Sequence, residues 1–210
     1  MRIQQIGLKT LAPMVVCQMV LVAGLAQAAS LNLTLQDTPD IVSGFIDVNY
    51  DAVTDAFTAT GFAFQIDAPP VEAIVGGTFD LKATIDDNGN LLGGSLVIGG
   101  TVANLGFNSG ALLTGTLTAF GFPDLGDEPL EFLFNVTGGD AAGLYGSTAG
   151  TVLTQSGFNG SFDSDFRNVS AGNANTAAVP VPMALPVGVA MLGLMGLVSI
   201  GRKTARRASA

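Results

Sequence analysis

An antiparallel all-β domain, a β-sandwich or jelly roll, is the fold predicted for residues 29–169 of this 210-residue chain. Three observations predict it. Apolar residues recur with a period of two, which puts one face of each strand in a core and the other in water. Glycine followed by Ser or Thr and then an apolar residue recurs at irregular spacing, as in Gly77-Thr78-Phe79, Gly94-Ser95-Leu96 and Gly115-Thr116-Leu117. There glycine permits a turn and the next residue opens a strand. No segment sustains the apolar stripe of an amphipathic helix. The irregular spacing argues against a solenoid of fixed repeat and for a sandwich.

In chain order, Leu31, Leu33 and Leu35 alternate with polar neighbours, and so do Ile46, Val48 and Tyr50. Phe62-Ala63-Phe64-Gln65-Ile66 and Phe79 to Ile85 repeat the pattern, so most phenylalanines read as core. Asp86-Asp87-Asn88-Gly89-Asn90 is a hairpin turn, because Asn and Gly tolerate positive φ. Leu113, Leu117 and the run Leu130 to Val136 supply further strands, and a single helical turn is expected near Asp140.

Charge partitions the chain. All 17 acidic residues lie between Asp37 and Asp165, and only Lys82 and Arg167 of the eight basic residues share that region. Two cations against 17 anions give the central section −15, which argues against a nucleic-acid partner. All 13 Phe and both Tyr also fall there.

The N-terminus carries Arg2 and Lys9, then an apolar run from Leu11 to Leu25, then Ala26-Gln27-Ala28. A positive flank, an apolar stretch and a small-x-small site describe a secretory signal peptide over residues 1–28. Cleavage is expected between Ala28 and Ala29, with Ala26 and Ala28 as the small residues. Cys17 follows Val16, too large for a lipid-attachment site, and leaves with the signal. The mature chain then has no thiol, which suits an oxidising compartment.

At the other end, Ser170 to Ala178 is small, polar and uncharged, and reads as a flexible linker that continues into Val179-Pro180-Val181-Pro182 (170–182). Residues 183–201 form the predicted transmembrane helix, with no charge from Met183 to Ile200 and about 27 Å of helical rise over that run. Arg202, Lys203, Arg206 and Arg207 in the tail 202–210 orient it with the basic end cytoplasmic.

A linker, a short Pro-containing motif, one hydrophobic helix and an Arg-rich end resemble the PEP-CTERM sorting signal of Gram-negative bacteria, most closely its VPLPA variant. The motif falls on Val179, Pro180, Val181 and Pro182, with Val181 and Met183 departing from the family pattern. The resemblance implies processing near Pro180–Pro182 by an exosortase, a membrane cysteine transpeptidase, in bacteria that make exopolysaccharide. The protein would be exported, held in the inner membrane with its domain outside the cytoplasm, and then passed to the cell surface or extracellular matrix. An ordinary single-span anchor is the plainer alternative. A membrane β-barrel is the structural rival of the sandwich. It conflicts with the C-terminal apolar helix, which would be retained in the inner membrane.

The sequence contains no His, and its one Cys lies in the signal. The mature chain therefore lacks the groups of nucleophilic triads, thiol chemistry and zinc hydrolysis. A carboxylate-based hydrolase ranks last: Glu72, Glu128 and Glu131 are the only glutamates, with Glu128 and Glu131 flanking Pro129 near a strand start. No cofactor is expected. Calcium is the remaining ion to consider, with Asp47, Asn49 and Asp51 on one strand face and Asp86, Asp87 and Asn88 in a turn. The reading is therefore a non-catalytic structural or interaction protein of the surface or matrix, partnered by an exosortase and exopolysaccharide. The alternative is a carbohydrate-binding module, with or without calcium.

Overall fold

The computed structural model describes residues 29–123 and 129–180. The transmembrane, basic-tail and most of the signal-peptide expectations lie outside them. Among the described residues no helix is long and apolar enough to cross a membrane.

Ten strands form, β1 (Asp40–Asp51), β2 (Ala56–Asp67), β3 (Val71–Ala73), β4 (Val75–Ile85), β5 (Leu91–Val102), β6 (Phe107–Gly121), β7 (Leu130–Gly138), β8 (Thr148–Thr154), β9 (Phe166–Arg167) and β10 (Gly172–Ala178). A 3₁₀ turn (Ala103–Leu105) and the expected helical turn, α1 (Ala142–Tyr145), complete the elements. Eight strands pair antiparallel in the order β1-β2-β4-β5-β6-β7-β8-β10, and β10 pairs back to β1. The sheet therefore closes on itself. All-β is right, but the architecture is a barrel and the expected sandwich is not formed. Nearly every strand pairs with its neighbour in sequence, so hairpins build an up-and-down ring without the crossovers a jelly roll needs.

Closure depends on a segment that composition assigns to a linker. Gly172–Ala178 is a strand: it lies between β8 and β1, with Asp40 opposite Ala177 and Ala174 opposite Leu153. Its small side chains suit the site. Ala174 and Thr176 are buried, and the Thr176 hydroxyl meets that of Thr151 at 2.9 Å. The barrel thus extends to Ala178, nine residues beyond the expected boundary at 169.

Most inward positions are apolar and most outward ones polar. Phe57, Phe79, Leu81, Phe132 and Phe134 are buried, whereas Asp47, Asn49, Thr60, Lys82, Thr84 and Thr116 are exposed. That sidedness is the reverse of a barrel whose outer band faces lipid. An eight-stranded barrel is just wide enough to be filled by side chains. Here a chain of ring contacts fills one end, Phe57 to Phe132, Phe132 to Phe120, and Phe120 to Phe162, with centroids 5.4, 4.8 and 5.5 Å apart.

Residues 30–36 form no ladder strand, though their leucines alternate as expected between half-buried and exposed neighbours. They lie as a strap along the outside of the barrel. Glu131 holds it, accepting the Ser30 hydroxyl at 2.8 Å and the backbone N–H groups of Asn32 and Leu33, each at 2.9 Å. Gln36 N–H donates to the Ala178 carbonyl at 3.0 Å. Gly121 and Gly150 leave room beneath it, since a Cβ on Gly150 would lie 3.0 Å from both Leu33 and Leu35.

Candidate functional site: an outward aromatic platform

The pairing of β1 and β2 shifts register twice, between Val42 and Ser43 and between Gly44 and Asp47. A bulge resets side-chain direction, because one extra residue breaks the alternation of the pleat. On β2 the alternation that buries Phe57 and Ala59 continues to Ala63 and leaves Phe62 and Phe64 exposed, and the extra residue at Phe64 then turns Ile66 inward. The period-two pattern of Phe62, Phe64 and Ile66 predicts the opposite for the two phenylalanines. On β1 Phe45 takes φ +51°, a region that costs a bulky L-residue roughly 1–2 kcal/mol. Its ring stands edge-on to Phe64 with centroids 5.8 Å apart.

Phe45, Phe62 and Phe64 are 68%, 55% and 41% exposed, against 9% or less for the nine buried phenylalanines. Gly44 leaves room for the Phe64 ring. A Cβ there would lie 2.7 Å from Asn173 Oδ1 and 3.0 Å from Phe64 Cε2. The amide of Asn173 and the ring of Phe64 thus converge over the backbone of β1. Beyond Asn173 a groove opens between the strap and strands β8 and β10, lined by Leu33, Leu35, Val152, Thr154, Asn173 and Asn175. None of these residues is charged, on a domain whose charge is strongly negative.

The calcium candidates are scattered or engaged. Asp47 and Asn49 are exposed on β1, and Asn49 accepts a long contact from Arg167 at 3.5 Å. Asp51 Oδ1 accepts the backbone N–H groups of Val53 and Thr54 at 2.9 and 3.1 Å. Asp86 closes the expected hairpin turn. Its Oδ2 accepts the Asn90 side-chain amide at 3.0 Å, and its Oδ1 accepts the backbone N–H groups of Asn88 and Asn90 at 3.0 and 2.8 Å. The Asn90 amide is foremost in holding the Asp86 carboxyl below the usual range. Only Gly89 in that turn has positive φ, at +78°. Among the described residues no three acidic side chains converge as a metal site requires.

Of the three glutamates weighed for hydrolysis, Glu131 is buried and committed to the strap, Glu72 accepts the Asn104 side-chain amide at 2.8 Å, and Glu128 lies outside the described residues. Asp40 faces Asp67 across β1 and β2 at the opposite mouth of the barrel, with its Oδ1 buried and unpartnered. Burial, with the Asp67 charge adding, pushes its carboxyl up to about 6. Burial also pushes the Tyr50 phenol up to about 12, helped by Asp55, Asp87, Asp86 and Asp165 around it.

Next to the expected cleavage and sorting positions, the Ala29 carbonyl packs on Gly121 and the Val179 side chain on Gly150. Ala26, Ala28, Val181, Pro182 and the four basic tail residues lie outside the described residues.

These features define a closed eight-stranded antiparallel barrel with a filled interior, an external strap and an aromatic outer face. No protein-family model, no curated protein and no solved structure matches the chain.

Proposed function

We propose that this is an exported, non-catalytic surface or extracellular-matrix protein, sorted by an exosortase-type enzyme and acting through the outside of its barrel. One observation supports the reading: the strap and barrel run from Ser30 to Ala178, inside the two expected processing sites. The strap docks on Glu131 from Ser30, two residues past the Ala28–Ala29 bond, and β10 ends at Ala178, directly before Val179-Pro180. Cutting at both places would release an intact barrel with its strap in place. Mass spectrometry of the mature protein tests this. It is expected to begin at Ala29 and end near Pro180–Pro182, and a C-terminus at Ala210 in exosortase-bearing cells would refute the processing.

A second reading, carbohydrate binding, is favoured by the three exposed phenylalanines. Aromatic faces pack on the C–H faces of sugar rings, and adjoining amides hydrogen-bond the hydroxyls.

A further inference from the structure

We propose that Phe45, Phe62 and Phe64, together with the strap groove beyond Asn173, form one continuous site for a linear, uncharged polysaccharide. The inference deepens the carbohydrate reading and rests on it, naming the site and the class of glycan.

The backbone supplies the first argument. Two bulges and a phenylalanine at φ +51° interrupt a plain ladder at the place where the three rings face water. Strain held at an exposed aromatic residue has no stabilising return in the core.

Area supplies the second. The exposed parts of the three rings amount to roughly 330 Å², taking about 200 Å² for a whole aromatic side chain. A stable protein interface needs about 800 Å² per partner, and the three rings alone supply well under half of that.

Charge supplies the third. Against the −15 of the central section, a polyanionic glycan would meet long-range repulsion. The groove offers Leu33, Leu35 and Val152 beside the hydroxyl of Thr154 and the amides of Asn173 and Asn175. That mixture of apolar surface with neutral donors and acceptors matches a hydroxylated, uncharged chain. Asn173 belongs to both parts of the site, since its Oδ1 and the Phe64 ring meet over Gly44.

Affinity electrophoresis of the full chain in non-ionic detergent tests the proposal. The gels would contain hydroxyethylcellulose, galactomannan or dextran as neutral probes, and alginate as the anionic one. Retardation by at least one neutral polymer is expected, weakened at least tenfold in Phe45→Gly and Phe62→Ala. Phe45→Gly removes the ring while relieving the backbone, so its loss of binding would not come from unfolding, and thermal melting of each variant checks this. Retardation by alginate alone would overturn the neutral class and leave carbohydrate binding standing. Neutral binding unchanged in both variants would place the glycan elsewhere. No retardation in any gel would remove the carbohydrate reading altogether, while the mature termini would still decide the sorting one. A dimer in sedimentation that Phe45→Gly makes monomeric would assign the platform to self-association and overturn the proposal.

Discussion

Glu131 on β7 accepts the backbone N–H of Leu33 at 2.9 Å across a sequence separation of 98 residues, and it also accepts the backbone N–H of Asn32 and the hydroxyl of Ser30. Three donors on one buried carboxylate make this a charge-assisted clamp, the strong class of hydrogen bond. Glu131→Gln keeps the shape but loses the charge and one acceptor. It is expected to cost about 2 kcal/mol, seen as a melting temperature lower by about 4–8 °C. Proteolysis between Ser30 and Gln36 should accelerate in the variant, and an unchanged cleavage rate would deny the clamp its role.

Asp40 gives the domain a pH dependence of definite sign. Its folded value of about 6 lies above the ordinary 3.8, so the folded state holds the proton more tightly than the unfolded one. The contribution is complete below about pH 4 and is lost as pH rises through about 6. The full shift would be about 3 kcal/mol, and solvent at the barrel mouth reduces this to about 1 kcal/mol. Asp40→Asn is expected to be the more stable protein at pH 7 and to flatten the profile between pH 4.5 and 7. Chemical denaturation across that range measures both.

Thr151 and Thr176 share a hydrogen bond inside the barrel, where both are wholly buried. Thr176→Val strands the Thr151 hydroxyl and is expected to cost about 1–2 kcal/mol. Changing both to Val removes the polar pair together, and the double variant should recover most of that loss. A double-mutant cycle by urea unfolding reads the coupling.

At Phe45 the backbone separates two substitutions that remove the same ring. Alanine keeps the strain of φ +51° and glycine relieves it. Phe45→Gly is therefore expected to exceed Phe45→Ala in stability by about 1 kcal/mol, although glycine is the poorer strand residue elsewhere. Urea midpoints of the two variants give the comparison. The reverse order would mean that the residue does not hold a left-handed conformation in solution.

Much of this molecule was legible in particular residues. The alternation of Ile46, Val48 and Tyr50 and of Phe79, Leu81 and Ile85 predicts inward faces that the barrel keeps. The turn at Asp86 and the helical turn after Asp140 fall where their residue types place them. The exposed phenylalanines were not legible. Phe62, Phe64 and Ile66 read as one core face, and a bulge has no signature in hydrophobic pattern. The platform was therefore hidden by the same alternation that predicts the strand.

By itself, then, the sequence determines the all-β class, most strand faces, the main hairpin turn and the charge partition, because each is local to a few residues. Tertiary structure alone decided that the sheet closes, that Gly172–Ala178 is its closing strand and that three rings face water. The physical reason is the same in each case. A strand of Gly, Asn, Ala and Thr has little propensity of its own and is held by ladders on both edges. Its place is fixed by β1 and β8, residues far from it along the chain.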